Sequence, residues 1–159
     1  MAMNFSETLF DSAIGGDRRA LAKLLTIAEE GGSMRAYDKK SSWILGVTGP
    51  PGAGKSTLID RLASNWSEKG ESIAILAVDP SSPVSGGALL GDRARMVFSD
   101  PSKVYFRSVS SRGSSGGISN GVRRMVEVLQ SLGWDRILIE TVGAGQGEFA
   151  IASVADRVM

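Results

Sequence analysis

The chain has no cysteine and no histidine among its 159 residues. The first absence excludes disulfides, thiolate metal sites and a cysteine nucleophile. The second excludes imidazole ligands and a Ser-His-Asp triad. Any metal held here is therefore a hard cation with oxygen ligands. An excess of one charge is also lacking: 18 Lys+Arg stand against 17 Asp+Glu, a formal net charge of +1. That balance argues against a dedicated nucleic-acid binder, which carries a basic excess. No apolar run approaches the roughly 18 residues of a membrane span, and the opening MAMNFSETLF has neither the basic nor the apolar region of a signal peptide. The expectation is a soluble cytoplasmic protein with no membrane and no nucleic-acid partner. At 42% hydrophobic and 22% charged residues the chain reads as one globular domain, burying roughly 70% of the surface its unfolded form exposes.

Glycine is what the sequence has in excess: 20 residues, nearly twice the usage implied by an average of about 7%. There is no low-complexity tract or internal repeat. The glycines instead cluster at junctions between apolar segments, at 46/49/52/54, 86/87/91, 113/116/117/121 and 143/145/147. Glycine there lets backbone approach a ligand closely or adopt positive φ.

The apolar spacing orders the elements. Phe5, Leu9, Phe10, Ala13 and Ile14, then Leu21, Leu24, Leu25 and Ala28, recur at helical intervals. Gly15-Gly16 splits them into two helices, Asp17 N-caps the second and Gly31-Gly32 ends it, with a polar linker over 31–41. Short apolar runs at 43–47, 72–78, 104–106 and 134–140 read as strands, and 156–159 as the start of a fifth. Helices are expected from Ser56 to Gly70 and over 118–132. Strands apolar on both faces and alternating with helices predict a doubly wound, mainly parallel α/β sheet with helices on both faces.

Between the first strand and its helix lies Gly49-Pro50-Pro51-Gly52-Ala53-Gly54-Lys55-Ser56-Thr57, which satisfies G-x-x-x-x-G-K-[ST]. The glycines allow a loop whose N–H groups surround a phosphate, and the following helix adds its positive N-terminal end. Lys55 brings a point charge to the β- and γ-phosphates, and Ser56 offers a hydroxyl to Mg²⁺. Ligands of open parallel sheets bind beyond the carboxyl ends of the strands. Two further strands end there in an acid, Asp79 in AVDPSSP and Glu140 in ILIETVG. A carboxylate after a buried strand holds Mg²⁺ directly or through water in the Walker-B arrangement; the alternative for either acid is a helix cap or a solvated loop end. Asp92 reads equally as the N-cap of a short helix over 93–98. Gly143 is placed to donate its N–H to the γ-phosphate and Gln146 to orient a water, against a solvent-facing glutamine.

The runs AVDPSSPVSGGALLGDRARM (77–96), FRSVSSRGSSGG (106–117) and ILIETVGAGQGE (137–148), together with the phosphate loop, resemble the MeaB/ArgK/MMAA family of P-loop GTPases. Ser108 and Ser115 stand where the family often has proline and leucine. The resemblance covers about residues 5–159. It implies a GTPase that turns GTP into GDP and phosphate with Mg²⁺ and acts as a chaperone of adenosylcobalamin-dependent methylmalonyl-CoA mutase or a related mutase. It implies Lys55, Asp92, Glu140 and Gln146 as catalytic, with Ser56, Asp79, Asp92 and Glu140 on the metal side. Residues 49–57 and Gly143 would contact the nucleotide. A homodimer is a further possibility under this reading.

The family's guanine-binding Asn-Lys-x-Asp is absent, since Asn4, Asn65 and Asn120 are the only asparagines. The expectation is therefore a P-loop fold cut short: an N-terminal helical extension and linker over 1–40, then a G domain over 41–159 incomplete at its C-terminal end. Two other classes stand beside the GTPase. One is a P-loop kinase of the transport-system type, and the other is a protein-binding remnant without turnover.

Overall fold

The computed structural model describes residues 5–32, 38, 40–79, 98–110, 120–141 and 151–159, with the backbone alone for Phe5, Asp79 and Ser110. The elements run α1 (Phe5–Ile14), α2 (Arg18–Glu30), β1 (Trp43–Val47), α3 (Lys55–Glu68), β2 (Ile73–Asp79), β3 (Val104–Ser110), α4 (Asn120–Ser131), β4 (Arg136–Thr141) and β5 (Arg157–Val158). Every strand is parallel to its neighbours, in the order β3-β2-β4-β1-β5. This is the α/β architecture expected from strands that are apolar on both faces. Among the described residues no helix is long and apolar enough to cross a membrane. The chain forms two compact units, residues 1–41 with 120–134 and residues 42–119 with 135–159.

In the first unit the helix boundaries follow local chemistry. The Asp17 carboxylate accepts the N–H groups of Arg19 and Ala20 at 2.8 and 3.2 Å and so caps α2. Gly31 closes α2 in the left-handed region at φ 82°, which costs glycine nothing. Leu21, Leu24, Leu25 and Ala28 are buried, at helical spacing along one face. α2 packs on α1 and on α4. The α2–α4 contact is close because Gly121 has no side chain: a Cβ there would lie 2.8 Å from the Glu29 carbonyl oxygen. Three residues on, Arg124 Nε donates to the Ala28 carbonyl at 2.7 Å, placing a cation at the negative end of α2.

The second unit is built on the sheet. Residues alternate between its faces, and Leu45, Val47, Ile73, Ile75, Val104 and Leu138 form one apolar row against Ile59 and Ala63 of α3, flanked by Leu58, Leu62 and Trp66. Each large side chain buried in that layer contributes about 1.5–3 kcal/mol. The opposite face carries Ile44, Ala74, Leu76, Ile137 and Ile139, all buried. There Gly46 admits Ile151, whose Cδ1 would lie 2.8 Å from a Cβ at that position. β3 runs to Ser110, four residues beyond the apolar run at 104–106. It pairs with β2 alone among the described strands, so alternation suffices: Val109 is buried while Ser108 is exposed. The polar tail hid a strand that needs only one apolar face.

Two aspartates pin the sheet, one between β1 and β5 and one between β2 and β4. The Asp156 carboxylate accepts the Ile44 N–H at 2.8 Å ahead of β5. At the foot of the sheet the Asp135 carboxylate accepts the Ser72 N–H and hydroxyl, both at 2.8 Å. Arg136 pairs with Glu71 and lies 5.4 and 5.2 Å from the rings of Trp43 and Trp66, which meet edge to face. A delocalised guanidinium over two aromatic faces is a favourable partly desolvated contact.

Candidate phosphate and metal site

The register brings three strand ends together. Val47 of β1 pairs with Glu140 of β4, and Glu140 pairs on its other side with Ala77 of β2. The loop after β1 therefore emerges beside the end of β4, with the end of β2 one strand further on. Asp79 is two residues past Ala77 and closes β2 at this same edge.

The loop itself folds as its glycines require. Gly49, Gly52 and Gly54 have φ of 140°, 81° and 86°, a region that side-chain-bearing residues seldom enter. Gly54 is the N-cap of α3 and no side chain caps it, unlike Asp17 at α2. The first turn of α3 thus presents main-chain N–H groups and a positive dipole end to whatever lies in front of the loop. Lys55 folds back over the loop and donates to the carbonyls of Gly49 at 2.8 Å and Pro50 at 3.0 Å. Residues 50–54 are exposed while Lys55 and Ser56 are half-buried, so the ammonium stands at the mouth of an open cradle.

Behind the lysine sits the acid. Alternation along β4 puts Glu140 on the α3 face with Leu138, and its side chain is only 8% exposed. The Ser56 hydroxyl donates to Glu140 Oε1 at 3.4 Å, a long contact. A hydroxyl and a buried carboxylate at this separation are two hard oxygen donors beside a phosphate cradle. That donor set fits Mg²⁺, which takes one or two protein oxygens and completes its shell with water and substrate phosphate. Among the described residues no three acidic groups gather into a dedicated metal cage, so Ser56 and Glu140 are the metal-side pair the geometry offers.

The structure thus brings together Lys55, Ser56 and Glu140, with residues 49–54 around them, and sets the Asp79 backbone at the same sheet edge. The Asp79 side chain, Asp92, Gly143, Gln146 and residues 93–97 of the helix expected over 93–98 fall outside the described residues, as does Arg112, and Phe98 is not helical. Arg107 is half-buried within β3, in register with Leu76. Two residues at this edge escaped the sequence reading. Thr48 follows β1, Thr141 ends β4, and among the described residues the hydroxyl oxygen of each is buried without a hydrogen-bond partner. The only sequence signal is a threonine directly after the last apolar or acidic strand residue, in VTGP and ETVG.

The chain is similar to several known proteins along most of its length. A protein of Pyrococcus horikoshii, provisionally named a GTPase, is 46% identical over 153 residues, covering 91% of this chain and 48% of its own. The fused isobutyryl-CoA mutase of Cupriavidus metallidurans is 36% identical over 163 residues, covering 96% of this chain and 15% of its own. Among solved structures, an LAO/AO transport system kinase superposes with a TM-score of 0.71 at 27% identity, over 99% of this chain and 50% of that one. The chain spans about half the length of the Pyrococcus relative and of the kinase. Residues 21–159 match the family described as "Methylmalonyl Co-A mutase-associated GTPase MeaB". With the phosphate loop, its lysine and the acid-ended neighbouring strand in place, the chain belongs to the MeaB family of mutase-associated GTPases.

Proposed function

We propose that the chain carries the phosphate and magnesium half of a GTPase site and hydrolyses GTP to GDP and phosphate. The observation that supports this reading is the adjacency of Lys55, Ser56 and Glu140 at the ends of two paired strands. In this reading the N–H groups of residues 52–57 wrap the phosphates. The Lys55 ammonium leaves the Gly49 and Pro50 carbonyls for the β/γ oxygens. Ser56 and Glu140 hold the metal side, joined by Asp79 and Asp92. When bound, Mg²⁺ supplies neutralisation of the charge on the transferred phosphoryl group. Gly143 donates to the γ-phosphate and Gln146 orients the attacking water. The protein's work is positioning and charge compensation, so intrinsic turnover is slow until a partner or a second copy of the chain completes the site.

The partner proposed is an adenosylcobalamin-dependent acyl-CoA mutase of the methylmalonyl type, with the chain acting as its chaperone in the cytoplasm. The family description names mutase association. The Cupriavidus relative, named a fused mutase, contains a matching segment within one longer polypeptide. Covalent fusion keeps two modules at high effective concentration, which suits modules that act on each other.

A P-loop kinase is the second reading, favoured by the overlap with the transport-system kinase. Release of labelled γ-phosphate separates the readings. Free phosphate from GTP, dependent on Mg²⁺ and without an acceptor, is the expected result. Transfer of label to a small molecule or protein instead establishes a kinase. Retention of all label, with no nucleotide bound, leaves a protein-binding module.

A further inference from the structure

We propose that Thr48 and Thr141 act together as a positioning element of the nucleotide site, their hydroxyls left unsatisfied in the free protein and completed when the triphosphate binds. The proposal rests on the phosphate-binding reading above and assigns it two residues of its own.

Placement carries the argument. Val47 and Glu140 are the last pair of the β1–β4 register, and Thr48 and Thr141 each come one residue after it, where β1 and β4 end. Successive residues alternate between faces, so both threonines lie on the face opposite Glu140 and the α3 layer. They are therefore not ligands of the metal side. They stand directly behind it: Thr48 precedes the first loop glycine and Thr141 follows the acid. Thr141 is 7% exposed, and neither hydroxyl oxygen has a hydrogen-bond partner among the described residues. Valine has the same shape and β propensity, so packing alone gives no reason for a hydroxyl at either position. A buried hydroxyl without a partner costs stability, and one such group asks for an explanation. Two in adjacent register, flanking the phosphate loop and the acid, share one.

A loop that wraps an anion acts on both flanks at once, because Thr48 directly precedes the loop and Thr141 directly follows Glu140. Drawing them together lets the two hydroxyls share one water molecule, the usual occupant of a small polar gap with several partners. The unmet hydrogen-bonding capacity is then part of what ligand binding satisfies. Loop and acid-bearing strand are thereby coupled through their roots as well as through the nucleotide.

The test uses Thr48→Val, Thr141→Val and the double variant, with Thr141→Ser as the rescue. Melting temperature is measured free and with a saturating non-hydrolysable GTP analogue and Mg²⁺, and affinity is measured by calorimetry. Valine is expected to raise the free melting temperature by about 2–4 °C per site and to weaken nucleotide affinity by roughly tenfold, with a correspondingly smaller ligand-induced shift. Serine restores affinity. Opposite signs on stability and affinity are what a merely structural hydroxyl does not produce. Valine variants that bind with wild-type affinity overturn the proposal. So does a free melting temperature that falls along with affinity, which signals a packing defect. Absence of any nucleotide-induced shift in the wild-type chain is a different result, and it removes the phosphate-binding reading together with this one.

Discussion

Replacing Lys55 by alanine tests the site at its most exposed charge. In the free protein the ammonium makes two bonds, to the carbonyls of Gly49 and Pro50 at 2.8 and 3.0 Å. Both lie at a half-open loop where water substitutes readily, so the melting temperature should move by no more than about 2 °C, a typical surface effect. Binding is another matter. An ammonium about 4 Å from a phosphate charge, at an effective dielectric near 20, gains on the order of 4 kcal/mol. Leaving two carbonyls takes back about 1–2 kcal/mol. The net of roughly 2–3 kcal/mol corresponds to a loss of affinity of about 30- to 150-fold. Calorimetric titration with GTP and Mg²⁺, beside a melting curve of the same sample, reads both quantities. A dissociation constant within threefold of wild type, with the fold intact, refutes the assignment of Lys55 to the phosphates.

Two further predictions concern stability. Gly121→Ala should destabilise, although alanine is the better helix former by about 1 kcal/mol. Its Cβ would meet the Glu29 backbone oxygen at 2.8 Å, and forcing packed backbones apart costs about 1–3 kcal/mol. A urea midpoint at or above wild type would show that α2 and α4 yield more easily than their spacing implies. The Asp135 carboxyl is held below the usual carboxylate range by the Ser72 N–H, then by the Ser72 hydroxyl and the Arg136 guanidinium, against an opposing push from burial. A carboxylate depressed in the folded state stabilises above its unfolded pKa of about 3.9 and loses that contribution as pH falls through the lower folded value. Asp135→Asn should therefore flatten the acid limb of a melting-temperature profile between about pH 2 and 5. An unchanged limb would mean that the Ser72 clamp contributes nothing to folding.

Much of this was readable from local chemistry. Asp17 and Gly31 announce the ends of α2 because capping depends on near neighbours alone. The loop motif between an apolar run and a helical repeat placed Lys55 and Ser56 for the same reason. Glu140 was legible because a carboxylate ending a buried strand has few structural uses. What did not show is what depends on pairing across the chain. The insertion of β4 between β1 and β2 follows from packing, not from any residue in those strands. The Arg124 contact with the end of α2, and Arg136 between two tryptophans, join residues remote in sequence. Threonine at 48 and 141 is unremarkable in each segment taken alone; only the register shows that both follow the same last strand pair. β3 runs past its apolar stretch because a strand with one neighbour, as β3 has among the described strands, tolerates Arg107 and Ser108 where a central one would not.

The strand order has a bearing on how the protein is made. Among the described strands β1 pairs with β4 and β5 and with none earlier. Ser56 and Glu140 are 84 residues apart, and Ile44 lies 112 residues before the aspartate that caps its strand edge. At about 5–20 residues per second, the ribosome takes roughly 4–17 s to add the stretch between the serine and its acid. Throughout that interval the nascent phosphate loop sits on a ribbon with neither lateral neighbour, and the oily side of α3 faces a half-finished platform. A chain arrested before residue 136 keeps the whole G-x-x-x-x-G-K-[ST] signature yet lacks the strand that flanks the loop and bears its acid.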